Sequence, residues 1–258
     1  METLTQDQVD AFNELGYLRL ENVFDAETVA RQSKELERLM QEWATQGPGW
    51  KGPWRQAYMT AEEDQRARLD ILGDLPGYSE EYFRAVTDDK LVGAVADLLG
   101  TGVEYHHTML HAKGPEMGTP FPMHQDYPFY AHEGPGYIDA LLHIDDATEA
   151  NGCLKFLPGS HKLGPLEHIG RVDSKDTRPH LPVDEYRLAD AVPVPANAGD
   201  VVFMSYLTIH GSDPNRTDGW RRLVRTGYRD PQNVQTGGHN TGVNGLILRG
   251  QKRNLAFA

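Results

Sequence analysis

In Pro122-Met123-His124-Gln125-Asp126-Tyr127 an imidazole and a carboxylate stand two residues apart. Residues i and i+2 of an extended strand point to the same face, so His124 and Asp126 would project side by side, near enough to grip one metal ion. Far downstream, His210 lies in Tyr206-Leu207-Thr208-Ile209-His210-Gly211-Ser212, after the apolar run Val201-Val202-Phe203-Met204. Two histidines and one carboxylate on one face of an ion leave the other face open, the arrangement of non-haem Fe(II) oxygenases. A structural zinc site is more often closed by four protein ligands, usually with cysteine among them.

His-x-Asp alone is a weak signal, and the chain holds a second copy, His143-Ile144-Asp145. Its commoner meaning is a histidine packed on a strand. The segment after His210 separates the two copies: it crosses a Pro/Asn/Gly-rich turn and reaches Arg221 eleven positions on. Such a turn can return the chain as the next strand. An arginine there can aim its planar fork at a dicarboxylate cosubstrate. Strand alternation puts Arg221 and Arg225 on one face and Arg222 on the other, so only one set can point inward.

These pieces resemble the phytanoyl-CoA dioxygenase family of Fe(II)/2-oxoglutarate oxygenases. The likeness rests on His107-Thr108-Met109-Leu110, Met123-His124-Gln125-Asp126, Asn151-Gly152-Cys153-Leu154, Leu157-Pro158-Gly159-Ser160-His161 and the segment from His210 to Arg221, in the family's order. It implies a double-stranded β-helix (a cupin-like jelly roll), mainly β, with N-terminal helices buttressing one sheet. It implies Fe(II) held by His124, Asp126 and His210, with 2-oxoglutarate and O2 as cosubstrates. Arg221 and Ser212 would take the distal carboxylate, with Met109 and Gln125 near the cosubstrate. The implied reaction is hydroxylation of an unactivated C–H bond of a small molecule, releasing succinate and CO2. Desaturation, cyclisation, C–P cleavage and a non-catalytic cupin-like binding protein are the alternatives. Halogenating relatives replace the carboxylate with a small residue, and Asp126 argues against that outcome. The chain departs from the pattern twice. No lysine stands in Arg66-Ala67-Arg68-Leu69-Asp70, and Leu141 replaces an expected tryptophan.

Length, composition and charge bound the rest. At 258 residues with no linker, one catalytic domain spanning 1–258 is expected. Twenty-five basic minus 38 acidic residues leave a net charge of −13, which disfavours nucleic acid and anionic membranes as partners. No stretch approaches the ~20 apolar residues of a membrane helix. The N-terminus lacks a secretory pattern, and Cys153 is the lone cysteine, so a cytoplasmic enzyme is expected.

The elements that must position these residues are legible in part. Thr5 and Gln8 form a capping-box pattern ahead of a helix to Leu15, closed by Gly16 and followed by strand Tyr17–Leu20. Helices are expected from Asp25 to Trp43 and from Asp88 to Leu99, the latter closed by Gly100. From Val103 the pattern turns to short strands: 103–111, 137–144, 153–157, 201–204 and 223–228. Residues 46–77 read as irregular. The stretch Gly47-Pro48-Gly49-Trp50-Lys51-Gly52-Pro53-Trp54 is either a flap over a pocket or a loop pinned by aromatic packing. His107, Met109 and His111 share one strand face. His132, His161, His168, His180 and His239 are expected in loops or at the surface.

Overall fold

The computed structural model describes residues 3–100, 102–172, 175–238 and 245–251; His239 lies outside them. The chain opens with helix α1 (Gln6–Leu15), whose Thr5 hydroxyl and Gln8 side chain cap each other's backbone N–H. Gly16 ends it at φ +85°, a left-handed conformation that glycine adopts without strain. Strand β1 (Tyr17–Leu20) follows, then α2 (Ala26–Trp43), capped by Asp25. Leu36 and Leu39 of α2 are fully buried, each contributing roughly 2–3 kcal/mol relative to exposure.

Residues 46–77 are more ordered than their composition suggests. Short β2 (Thr45–Gly47), α3 (Ala61–Arg66), β3 (Leu69–Gly73) and α4 (Leu75–Tyr78) occupy them. Strand β3 was hidden because Asp70 interrupts its apolar run. In the fold Asp70 is buried and neutralised by both arms of Arg68 at 2.9 Å. Helices α5 (Glu80–Val86) and α6 (Asp89–Leu99, capped by Asp88 and Gly100) complete the helical layer.

The strands then build two facing sheets. Long β4 (Val103–Lys113) is followed by β5 (Phe121–His124), β6 (Tyr137–His143), β7 (Leu154–Phe156), the paired β8 (Ile169–Val172) and β9 (Lys175–His180), and β10 (Val192–Val194). Then come β11 (Val201–Ser205), β12 (His210–Ser212), β13 (Arg221–Arg229) and β14 (Leu246–Arg249). The larger sheet runs β1-β11-β6-β13-β4-β3-β2 with β14 on β4, and the smaller runs β10-β7-β12-β5. Adjacent partners are antiparallel throughout, as the jelly roll requires.

Alternation divides the large sheet cleanly. Leu110, Ala112, Leu142, Val224 and Tyr228 face the helices and pack with Leu36, Leu39, Tyr82 and Val95. Leu141, Val202, Met204 and Leu223 face Leu154 and Phe156 of the small sheet. Leu141, which stands where a tryptophan was expected, is part of this inner packing. Arg222 points to the helices, held by Asp145 at 2.6 Å and by Ser33 of α2 at 2.9 Å. Arg221 and Arg225 therefore point inward.

Candidate metal centre

His210 and His124 are cross-strand partners of β12 and β5, and their rings lie 4.3 Å apart. Asp126 arrives differently from the extended geometry its spacing suggests. Strand β5 stops at His124, and Asp126 adopts a helical conformation (φ −79°, ψ −16°) at the start of a turn. The N–H groups of Asp126 and Tyr127 both donate to the Tyr206 carbonyl, at 3.0 and 3.1 Å. The turn swings the carboxylate back toward the histidines. Its Oδ1 lies 3.5 Å from His124 Nε2, and its Oδ2 lies 3.9 Å from His210 Nε2. One ligand atom from each of the three buried residues falls within 4.8 Å of the others.

Both imidazoles are oriented for ligation. Nδ1 of His124 bonds the Pro122 carbonyl at 2.7 Å, and Nδ1 of His210 bonds the Thr208 carbonyl at 3.0 Å. A carbonyl can only accept, so each Nδ1 carries the proton and each Nε2 offers its lone pair inward. Burial lowers His210 to about 4, which keeps that lone pair free at neutral pH. For Asp126, burial opposes ionisation. The adjoining Arg225 guanidinium leads the interactions that outweigh it and hold the carboxyl well below its ordinary range. Imidazole nitrogens with an ionised carboxylate are the donor set that a divalent iron takes.

The framework around the triad is tied down from outside. The Gly16 carbonyl, at the end of α1, accepts from Ser205 N–H and Thr208 Oγ1 at 3.0 and 2.7 Å, fixing the turn that delivers His210. Gln125 faces away from the triad. Its amide donates to the Gly164 and Leu207 carbonyls and accepts from Leu166 N–H, while its own N–H donates to His168 Nε2 at 2.9 Å. Both amide protons of Gln125, which was expected near the cosubstrate, are thus spent on the framework.

Arg221 is 2% exposed, and its Nε has no hydrogen-bond partner. Beside it sequence reasoning missed Lys113, fully buried, with Nζ donating to Ser212 Oγ at 2.7 Å and to the Asp213 carbonyl. Burial and the neighbouring Arg221 pull Lys113 well below its ordinary pKa, and burial lowers Arg221 to about 10. Among the described residues neither cation pairs with a carboxylate. Two desolvated cations thus lie side by side, Lys113 bonded to Ser212 and cross-strand to Arg221. The missed signal was alternation: Lys113 continues the face of His107, Met109 and His111. Met109 and His111 keep partial exposure within β4, so they border an internal space.

Arg225 approaches the triad directly. Its Nη1 lies 2.8 Å from Asp126 Oδ2 and 2.5 Å from Tyr130 Oη, and Nη2 lies 3.0 Å from His107 Nε2. The tryptophan loop reaches the triad as well. Trp50 sets its ring 4.9 Å from that of His124 and 5.4 Å from Phe129, whereas Trp54 packs against Tyr58 and His180.

The two residues of the second His-x-Asp diverge. His143 is buried on the inner face, while Asp145 turns outward to Arg222. His132 and His180, expected in loops or at the surface, are each 3% exposed, with Nδ1 bonded to a carbonyl two residues back.

The family model for phytanoyl-CoA dioxygenase (PhyH) matches residues 12–223. The chain belongs to the phytanoyl-CoA dioxygenase family. Curated relatives include an ectoine dioxygenase of Bordetella parapertussis, 27% identical over 253 residues, covering 90% of this chain and 78% of that protein. A methylphosphonate hydroxylase of Gimesia maris is 29% identical over 228 residues, covering 88% and 81%. Among solved structures, the non-heme alpha ketoglutarate dependent carbocyclase SnoK of nogalamycin biosynthesis superposes with a TM-score of 0.72 at 22% identity, covering 92% of this chain and 88% of that one. EctD from S. alaskensis with bound Fe superposes at 0.70 and 22%, covering 94% and 82%. These two share the fold. With its relatives and its triad, this member of the family is an Fe(II)- and 2-oxoglutarate-dependent dioxygenase, an oxidoreductase using O2. Among the described residues no helix is long and apolar enough to cross a membrane.

Proposed function

We propose that the chain, working as one catalytic domain, hydroxylates an unactivated C–H bond of a small molecule. The observation that carries this reading is the convergence of His124, Asp126 and His210 beside a buried cation pair that has no carboxylate partner among the described residues. His124 and His210 offer Nε2 and Asp126 offers one oxygen to Fe(II). When bound, iron with 2-oxoglutarate and O2 supplies the oxidising power and releases succinate and CO2.

The chain's own residues do the rest. Arg221 and Lys113 receive the distal carboxylate of 2-oxoglutarate, with Ser212 as the polar contact between them and Met109 beside it. The Nδ1 bonds stop the imidazoles from rotating. Trp50 and Phe129 crowd His124 from the loop side and exclude water from the reacting space. A lone buried Cys153 suits a reducing cytoplasm, where ferrous iron persists.

The test is succinate release from Fe(II)-loaded protein, with 2-oxoglutarate and O2, across acids, amines, phosphonates and acyl esters. Product mass then discriminates outcomes, since hydroxylation adds one oxygen and desaturation removes two hydrogens. Failure of every compound to raise succinate above background would leave the hydroxylase reading without support.

A further inference from the structure

Arg225 is an inward cation that the cosubstrate seat does not use. It stands on the same face of β13 as Arg221, four residues along, so their Cα atoms are separated by roughly 13 Å of strand. Its companions are Asp126, Tyr130 and His107 rather than Lys113 and Ser212. Its side chain keeps 11% exposure, and its Nε is buried without a partner. It therefore meets the triad through Asp126, with a different set of companions from Arg221.

A divalent ion on one oxygen of Asp126 would share the countercharge that Arg225 holds. A guanidinium stays protonated throughout. The other acid within reach, Asp139, stands 3.9 Å from Nη1, beyond hydrogen-bond length. Three of its five N–H groups are taken by Asp126, Tyr130 and His107, which leaves Nε–H and one Nη2 N–H without an acceptor among the described residues, and a desolvated donor without an acceptor is costly.

Trp50 forms the second wall, and its placement is rigid. Arg55, itself 4% exposed, donates from Nη1 to the Pro48 and Trp50 carbonyls at 2.9 and 2.6 Å and is tied to Asp64 at 2.5 Å. Thr119 Oγ1 donates to the Pro48 carbonyl at 2.6 Å, and Thr177 Oγ1 donates to the Lys51 carbonyl at 2.8 Å. Gly49 sits at φ +77°, where an added Cβ would approach Thr119 to 2.6 Å. The loop is pinned on both sides of Trp50, yet the indole is only half-buried. A fixed aromatic face left partly open beside a metal ligand is a surface for a ligand to lie against.

We propose that the substrate lies between the Trp50–Phe129 wall and the Arg225 guanidinium. It therefore pairs a flat or apolar body with an oxygen acceptor, such as a carboxylate, phosphonate or carbonyl group. This rests on the dioxygenase reading and assigns the substrate's place in the site.

The test uses full-length protein loaded with Zn(II) and 2-oxoglutarate, which does not turn over, and saturation-transfer NMR titrations with phenylacetate, phenethylamine and acetate. Phenylacetate should bind, and its cationic twin and ringless acetate should bind at least about tenfold more weakly. At saturating Zn(II) and 2-oxoglutarate, with occupancy of both measured for each variant, Arg225→Met and Trp50→Ala should each weaken phenylacetate about tenfold or more. Equal binding of acid and amine, unchanged phenylacetate affinity in either variant, or no phenylacetate binding to protein that holds 2-oxoglutarate would each overturn the proposal. Should Arg225→Met not fold, the acid–amine comparison on wild type and the Trp50→Ala titration decide. Wild-type protein that holds neither Zn(II) nor 2-oxoglutarate would instead sink the dioxygenase reading.

Discussion

Nζ of Lys113 lies 2.7 Å from Oγ of Ser212, joining the longest strand of the large sheet to the histidine-bearing strand of the small one. An ammonium buried there, next to another cation, is an expense to the empty protein. Lys113→Met should leave thermal stability unchanged or raised, because an apolar chain of similar length replaces a desolvated charge. Arg221→Ala and Lys113→Met should each raise the 2-oxoglutarate requirement, Arg221→Ala by about 2–5 kcal/mol. Titrating 2-oxoglutarate against succinate release measures both. An unchanged requirement in Lys113→Met would remove the ammonium from the seat.

Asp126→Ala should abolish metal-dependent succinate formation, and the fold should suffer too. The carboxylate is the closest acid to Arg225, and both are buried, so removing it strands a guanidinium at a cost of about 3–5 kcal/mol. Asp126→Asn keeps an acceptor for Arg225 and should recover most of that stability while still failing to turn over. Urea unfolding of both variants, beside their succinate assays, separates the two roles.

His143→Ala should bind divalent metal as wild type does, because Asp145 is committed to Arg222 on the opposite face. His124→Ala should lose it. Calorimetric titration with Co(II) distinguishes them, and equal loss in both would mean that the wrong His-x-Asp has been assigned.

Acid should weaken the metal-free fold through histidines buried in their neutral form. Burial lowers His132 to about 4, and burial together with the Arg221 charge lowers His143 to about 4. In the unfolded chain each titrates near ~6.5. Above that pH both states are neutral and neither histidine contributes. As pH falls from ~6.5 toward ~4 the unfolded state takes up protons that the folded state refuses, so stability declines by up to about 3 kcal/mol per histidine. Urea midpoints at about pH 7.5, 6 and 5 should fall in that order, and His143→Phe should flatten the slope by one proton. Midpoints rising toward acid would refute the assignment.

The sequence by itself determined whatever short-range rules control. Capping residues placed the ends of α1, α2 and α6 to within a residue or so, because a side chain satisfies or fails to satisfy its own helix's N–H groups locally. The order His-x-Asp, His, Arg together with the family resemblance pointed to three candidate ligands, and the fold brings their ligand atoms within 4.8 Å of one another. Tertiary structure decided the rest. Asp126 turns inward only because Tyr206, eighty positions later, accepts two consecutive N–H groups. Lys113 stands beside Arg221 only because β4 registers against β13. Trp50 reaches His124 from a loop that composition alone left between two readings. Each depends on contacts between residues far apart in the chain, whose energies arise from burial and register rather than from neighbouring residue types.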